Sequence, residues 1–470
     1  MSAMLLLFDD GGFNPRSLFA AGEQGALYDL YDQSTLFQDA AGTTPWTTLG
    51  QPLGLQLDKS KGLVLGSELV SNGSFVDASG WVLQPEIDIS GGKLNYNATA
   101  TRTATATGAS CESGKWYLIE FDYEYVSGTP RFNAGGGNTN IATTSGRKSY
   151  IRLSTGTNDF FFSCSSGGGV FSVDNLTVRE LPGNHRYQTT SSSRPTIEAR
   201  VNRFVGSETL ATQNVTTVAG GYILRFTGTG TVTLSGTAVG AYSAGTHSIT
   251  CTAGTLTATV AGTVTQADLR LSLDSAYPYQ RVTTATDYAD IGAPRRIKYD
   301  GIDDFLQTAS VNFSATNKMT VWAGVRKSSD AAQAVICELS TNATTTNGAF
   351  VLSAPASAAA NFSFASRGTA LSTQTTAGHA APISRVLTGV GNIAGDVAAL
   401  SVNAVSATSS TDQGTGNYST NPLYFGARAG TSLRFSGEVF SPEVIRGAAS
   451  NDAQINLVER IINKNMGGVY

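Results

Sequence analysis

Along residues 116–125 the chain alternates without a break. Tyr117, Ile119, Phe121, Tyr123 and Tyr125 fall on one side; Trp116, Leu118, Glu120, Asp122 and Glu124 fall on the other. A period of two with one apolar side is the pattern of a half-buried strand. Residues 158–164 and 170–178 read as further strands, separated by a turn at Ser165-Ser166-Gly167-Gly168-Gly169. Within a stretch dominated by Thr, Gly and Ala, Tyr222, Leu224 and Phe226 still alternate, which predicts a small sandwich of short strands over 198–287. Met319, Val321, Ala323 and Val325 share one face of another strand. A helical period occurs only at the end: Ile455, Val458 and Ile462 recur beside Leu457 and Ile461. Asn451 is placed as N-cap with Gln454 three residues on, and Gly467 and Gly468 lie past the end. These patterns predict an all-β chain with one short C-terminal helix laid on a sheet.

Length and composition sharpen this. A chain of 470 residues implies two to four domains. Hydrophobic residues at 41% supply cores, while charged residues at 14% leave a polar, nearly neutral surface that suits strands and turns. The net charge is −4 and no basic run occurs, which sets nucleic-acid binding aside. The apolar run at residues 4–8 is short for a signal peptide and no basic segment precedes it; no stretch is long enough to span a bilayer. The expectation is a chain that stays in the compartment where it is made and does not enter a membrane. Cys111, Cys164, Cys251 and Cys337 are widely spaced with no metal-ligand pattern; they read as buried thiols, with a Cys111–Cys164 bridge as the alternative.

Two groups of residues carry a family resemblance. YDGIDDFL at 299–306, the strand at 318–326 and LFQDAAGTTP at 36–45 resemble a laminin-G/concanavalin-A-like domain of bacteriophage structural proteins. In simpler relatives the early segment continues into a piece like TTSSSRP at 189–195 and then into the YDGIDDF strand. Here that order is interrupted twice. The resemblance therefore implies a discontinuous concanavalin-like β-sandwich built from residues 16–66, 184–197 and 288–470. Two β-sandwich or jelly-roll domains, 67–183 and 198–287, would be inserted at surface loops, where added length closes at little entropic cost. The first insertion resembles a carbohydrate-binding-module jelly roll, on ELVSNGSF at 68–75, Gly80-Trp81 and FSVDNLTV at 171–178. Residues 1–15 are an N-terminal attachment segment in this scheme, with a bland tail as the alternative.

Candidate chemistry is sparse. Glu120, Asp122 and Glu124 form the E-x-D-x-E pattern of retaining glucanases on concanavalin-like sheets. A polar solvent face is the competing reading, and it is preferred. Asp303 and Asp304 read as a turn rather than a catalytic pair; a Ca²⁺ site joined by Asp300 and Asp303 is the alternative, though no EF-hand-like ligand run accompanies them. Asp174, with Asn175, is the candidate for a structural Ca²⁺ site; no other cofactor is expected. Trp81 and Trp116 are the candidate sugar-stacking residues, with core positions as the alternative, and Trp46 and Trp322 carry the same ambiguity. His185, His247 and His379 are scattered and suggest no catalytic triad; they read as satisfied or exposed loop residues. The resemblance implies a virion protein, made in the bacterial host's cytoplasm and not an enzyme. It would be a tail-fibre or receptor-binding component with weak, multivalent contact to host glycans, assembled with other virion proteins and with itself, as a homotrimer. A capsid decoration protein or head fibre is the alternative, and a glycan depolymerase the reading from another class.

Overall fold

The computed structural model describes residues 12–199, 201–275, 277–284 and 294–470. Most of the proposed attachment segment 1–15, and the boundary at 287–288, lie outside the described residues. The chain is all-β, arranged as a discontinuous sandwich that carries two inserted β modules and ends in one α-helix.

The main sandwich pairs an eight-stranded with a nine-stranded sheet. The first runs Thr196–Glu198, Arg296–Asp300, Ser436–Arg446, Lys318–Lys327, Ile383–Asn392, Val397–Val402, Val405–Ser409, with Gly25–Tyr28 also paired to Ser436–Arg446. The second begins Leu36–Phe37, Leu55–Gln56, Arg186–Tyr187, Leu306–Asn312. Short strands from early and middle segments thus sit inside sheets made mostly of late ones. Met319, Val321, Ala323 and Val325 point into the core between the sheets, as their alternation requires. Trp322, of opposite parity, faces the second core beneath the helix Asp452–Asn465, with Val458, Ile462 and Met466. The helix opens with the anticipated capping box between Asn451 and Gln454. Gly324 lets it approach: a Cβ there would lie 2.6 Å from side-chain atoms of Ile462 and Met466.

The first inserted module is built on two long antiparallel strands, Trp116–Asn133 and Asn158–Glu180. Tyr117, Ile119, Phe121 and Tyr123 enter its core. The segment 165–169, expected as a turn, is instead part of one continuous strand. The register shifts between Cys164 and Gly169, so the glycines form a kink rather than a reversal. The opening and closing motifs of this module are bonded together: Leu176 N–H donates to the Gly73 carbonyl at 2.8 Å, and Leu69 N–H to the Val178 carbonyl at 3.0 Å. A Cβ at Gly73 would collide with the Leu176 carbonyl. Cys111 and Cys164 lie in this module as free, buried thiols, so the alternative of a bridge is overturned; Cys251 and Cys337 are free and buried as well.

The second inserted module has five strands around its own core, which contains Tyr222, Leu224 and Phe226. Its strands are not all short. Gly220–Gly236 spans 17 residues and pairs with three others, bending where the register shifts between Phe226 and Thr231.

Candidate functional site

The first inserted module is fastened to the main sandwich by an apolar joint. Leu55, Leu57, Trp116, Ile151 and Leu181 are buried there together, with Phe37, Leu118, Leu153 and Tyr187 against them. Trp116 belongs to the side of its strand that carries Glu120, Asp122 and Glu124, yet it is covered, because the main sandwich abuts that end of the strand. Its ring packs against His185 and Tyr187, with centroids 5.4 Å from each.

Beside this joint lies a groove of about 350 Å³, lined by Asp39, Ala40 and Ala41, by Trp116, Arg152, Leu153 and Thr155, and by Tyr187, Thr189 and Arg194. That volume is within the range of small-ligand sites, roughly 300–1,000 Å³. One wall is the LFQDAAGTTP loop. Asp39 accepts hydrogen bonds from the Ala41, Thr43 and Thr44 amides and the Thr43 hydroxyl. Burial raises the Asp39 pKa, but these hydrogen bonds outweigh it and hold the carboxyl below its ordinary value. The loop is bonded to the opposite wall, since Ile151 N–H donates to the Ala41 carbonyl at 2.8 Å. Gly42, at φ +63°, permits the contact; a Cβ there would lie 2.8 Å from Ile151. Asp39→Ala is expected to destabilise the protein by about 1–2 kcal/mol in urea denaturation, because the loop amides lose their acceptor but can still reach water. No change would mean the loop is held without Asp39, by contacts such as Ile151 to Ala41 and Arg194 to Gln38.

Two arginines, Arg152 and Arg194, lie in the lining of the groove. Arg152 Nε and Trp116 Nε1 are both buried without a hydrogen-bond partner. Burial lowers the Arg152 pKa, and the one neighbour acting on its charge is the Tyr187 phenol. The guanidinium lies against Gly137, where a Cβ would come within 2.5 Å of Nη2. Arg194 donates to the carbonyls of Gln188, Gln38 and Thr189 at 3.0–3.2 Å.

The structure separates the other candidates from this groove. All four tryptophans are buried: Trp46 at 2%, Trp81 at 7%, Trp116 at 2% and Trp322 at 0% exposure. Trp81 packs on Phe75 and donates Nε1–H to the Asn72 carbonyl at 3.1 Å. Stacking a pyranose needs an open ring face, so Trp81 and Trp116 are corrected from stacking candidates to core residues. Only Trp116 reaches a groove, and it does so as an unpartnered donor. That signal was invisible in the sequence, where nothing distinguishes the parity of Trp116 from that of its exposed acidic neighbours.

Glu120, Asp122 and Glu124 lie on the exposed face of the first module, where adjacent strands bring cations to them. Arg147 is 3.9 Å from Glu120 and 3.6 Å from Asp122, and Lys93 is 2.7 Å from Glu124. Hydrogen bonds from Lys93 and Ser172 lower the Glu124 pKa, opposite to what a general acid needs. Asp174 is half-buried beside them. Its carboxylate accepts from the Asn175 amide, and Asn175 in turn donates to Asp122 at 2.8 Å. Among the described residues, Asp174 belongs to no cluster of three or more metal-ligating side chains. Asp300, Asp303 and Asp304 do converge, as a turn in which Asp300 accepts from the Ile302 amide and Asp304 from the Asp300 amide. Burial, with Asp300 and Asp303 nearby, pushes Asp304 up to about 6. His247 is bonded to the Ser243 carbonyl at 2.8 Å. His185 lies in the loop before Arg186–Tyr187 and is fully buried at the joint, where its Nδ1 accepts the Asp58 amide at 2.9 Å.

No family model matches the sequence, and no curated protein matches it. Solved structures with a similar fold include the CBM40 of the Ruminococcus gnavus IT-sialidase bound to alpha2,3 sialyllactose, at 15% identity over 35% of this chain and 95% of that one, with a TM-score of 0.27. The binding domain of botulinum neurotoxin DC in complex with SialylT matches at 10% identity over 34% and 40%, also with a TM-score of 0.27. A native heptameric SAP-like pentraxin from Limulus polyphemus matches at 11% over 34% and 79%, again with a TM-score of 0.27. These likenesses are partial and concern β-sandwich architecture; they carry no argument about ligands.

Proposed function

We propose that this chain is a non-catalytic surface protein of a bacteriophage particle, a tail-fibre or receptor-binding component that touches host glycans weakly and through many copies. The groove between the first inserted module and the main sandwich carries the glycan part of this reading. Its walls are fixed by an apolar joint and by the Ile151–Ala41 bond, and Arg152, Arg194 and Tyr187 stand in its lining. A rigid groove with guanidinium groups in its lining suits a ligand rich in oxygen acceptors. Display in several copies, as in a symmetric trimer, would turn a weak single contact into useful avidity. The resemblance of residues 36–45 and 299–306 to phage laminin-G-like domains supports the virion placement. The pairing of Glu120, Asp122 and Glu124 with Arg147 and Lys93 supports a role without hydrolysis.

Immunogold labelling of intact particles with an antibody to residues 67–183 tests the placement. Label at the tail tip or fibres is the expected result. Label spread over the head would make the chain a decoration protein or head fibre, and unlabelled particles would overturn the virion reading. In parallel, neither the parent protein nor Glu120→Gln should release reducing ends from host polysaccharide. Release by the parent that Glu120→Gln abolishes would establish the depolymerase instead.

A further inference from the structure

We infer that the groove takes an acidic saccharide, a sugar bearing a carboxylate or phosphate, and that Arg152 is its anchor. This rests on the glycan-binding reading above and specifies the ligand class.

The argument is one of unmet donors and uncompensated charge. Arg152 is a cation partly withdrawn from water, with its Nε buried and unpartnered. A guanidinium removed from water is costly unless an anion or several acceptors replace the lost hydration. Among the described residues no acid acts on it; its electrostatic neighbour is the Tyr187 phenol. The carboxylate in the lining, Asp39, is committed to the amides and hydroxyl of its own loop. Arg194 brings a second positive charge to the same lining and donates to neutral carbonyls. The groove is therefore locally cationic in a chain whose net charge is −4. A planar guanidinium fork matches an oxyanion bidentately, which a neutral sugar hydroxyl cannot reproduce. Gly137 leaves room for this side chain, having no Cβ where one would meet the guanidinium.

The test uses the full chain and three probes: methyl glucuronide, a glucose phosphate and methyl glucoside, titrated by ligand-observed NMR at low and high salt. Saturable binding of at least one acidic probe is expected, at least about tenfold tighter than methyl glucoside and weakened by salt. The glucuronide and phosphate arms decide which oxyanion is preferred. Arg152→Met should lose about tenfold or more in acidic-probe affinity while its melting temperature holds or rises, because an unpaired, desolvated charge has been removed. Gly137→Val keeps the charge but displaces the guanidinium, and it should weaken the same probes. Equal binding of acidic and neutral probes, unaffected by Arg152→Met, would overturn the acidic-ligand inference and leave glycan binding standing. Binding of none of the three would overturn both.

Discussion

Arg186→Ala is expected to cost about 3–5 kcal/mol of stability, the range for breaking a buried ion pair by removing one partner. Arg186 lies in a two-residue strand between Leu55–Gln56 and Leu306–Asn312, so the middle segment of the chain joins the early and late ones there. Its side chain is fully buried and pairs with Glu443. Nε and Nη2 both donate to Gln56 Oε1, at 3.0 and 2.7 Å. The guanidinium also stacks over Tyr28 at 4.1 Å and Phe425 at 4.8 Å. One side chain thus links residues from three separated parts of the sequence. Truncation strands the Glu443 carboxylate and the Gln56 carbonyl out of water. The double variant Arg186→Met/Glu443→Leu removes both charges and should recover much of the loss. Chemical denaturation of the two variants reads this directly. A single-variant loss under about 1 kcal/mol, with no recovery in the double variant, would show that the pair does not hold the discontinuous sandwich together.

Acid should weaken the protein through His185. Burial lowers its pKa from 6.5 to about 3. Above pH 6.5 neither the folded nor the unfolded state protonates it, and its contribution is fully present. As pH falls, the unfolded chain takes up a proton that the folded site refuses, so stability declines until the folded pKa is reached. At about 1.4 kcal/mol per unit, the loss between pH 6.5 and 4.5 approaches about 3 kcal/mol. The adjacent Asp58 works in the opposite sense. Burial raises its pKa, although the amides of Asn184, Leu27 and Ser60 donate to it, so its folded state accepts a proton before the unfolded one. The His185 contribution is isolated by comparison with His185→Gln. That variant should be less stable at pH 7.5, where the packing is lost, and the gap to the parent should narrow by about 2–3 kcal/mol at pH 4.5. Parallel pH profiles would show that His185 is not held neutral.

Local patterns made much of the architecture legible. The alternation at 116–125 marked the strand and its buried face, and Met319, Val321, Ala323 and Val325 marked another. Asn451 and Gln454 marked the start of the helix. Each signal is local, because side-chain direction repeats every two residues in a strand and every 3.6 in a helix. Where the backbone could follow more than one path, the pattern was insufficient: three glycines after two serines suggest a turn, yet residues 165–168 bulge within one long strand whose pairing stops at Cys164 and resumes at Gly169.

By itself the sequence determined the strand periods, the capped helix, the low charge and the interrupted order of the family motifs. Tertiary structure alone decided which faces are covered and which charges meet. Trp116 shares its side of the strand with Glu120, Asp122 and Glu124, but the main sandwich covers one end of that side and leaves the other to solvent, Arg147 and Lys93. Arg186 met Glu443 across 257 residues, while Arg152 met no acid among the described residues. Burial and charge compensation depend on contacts between distant segments, and no local period encodes which distant segment arrives.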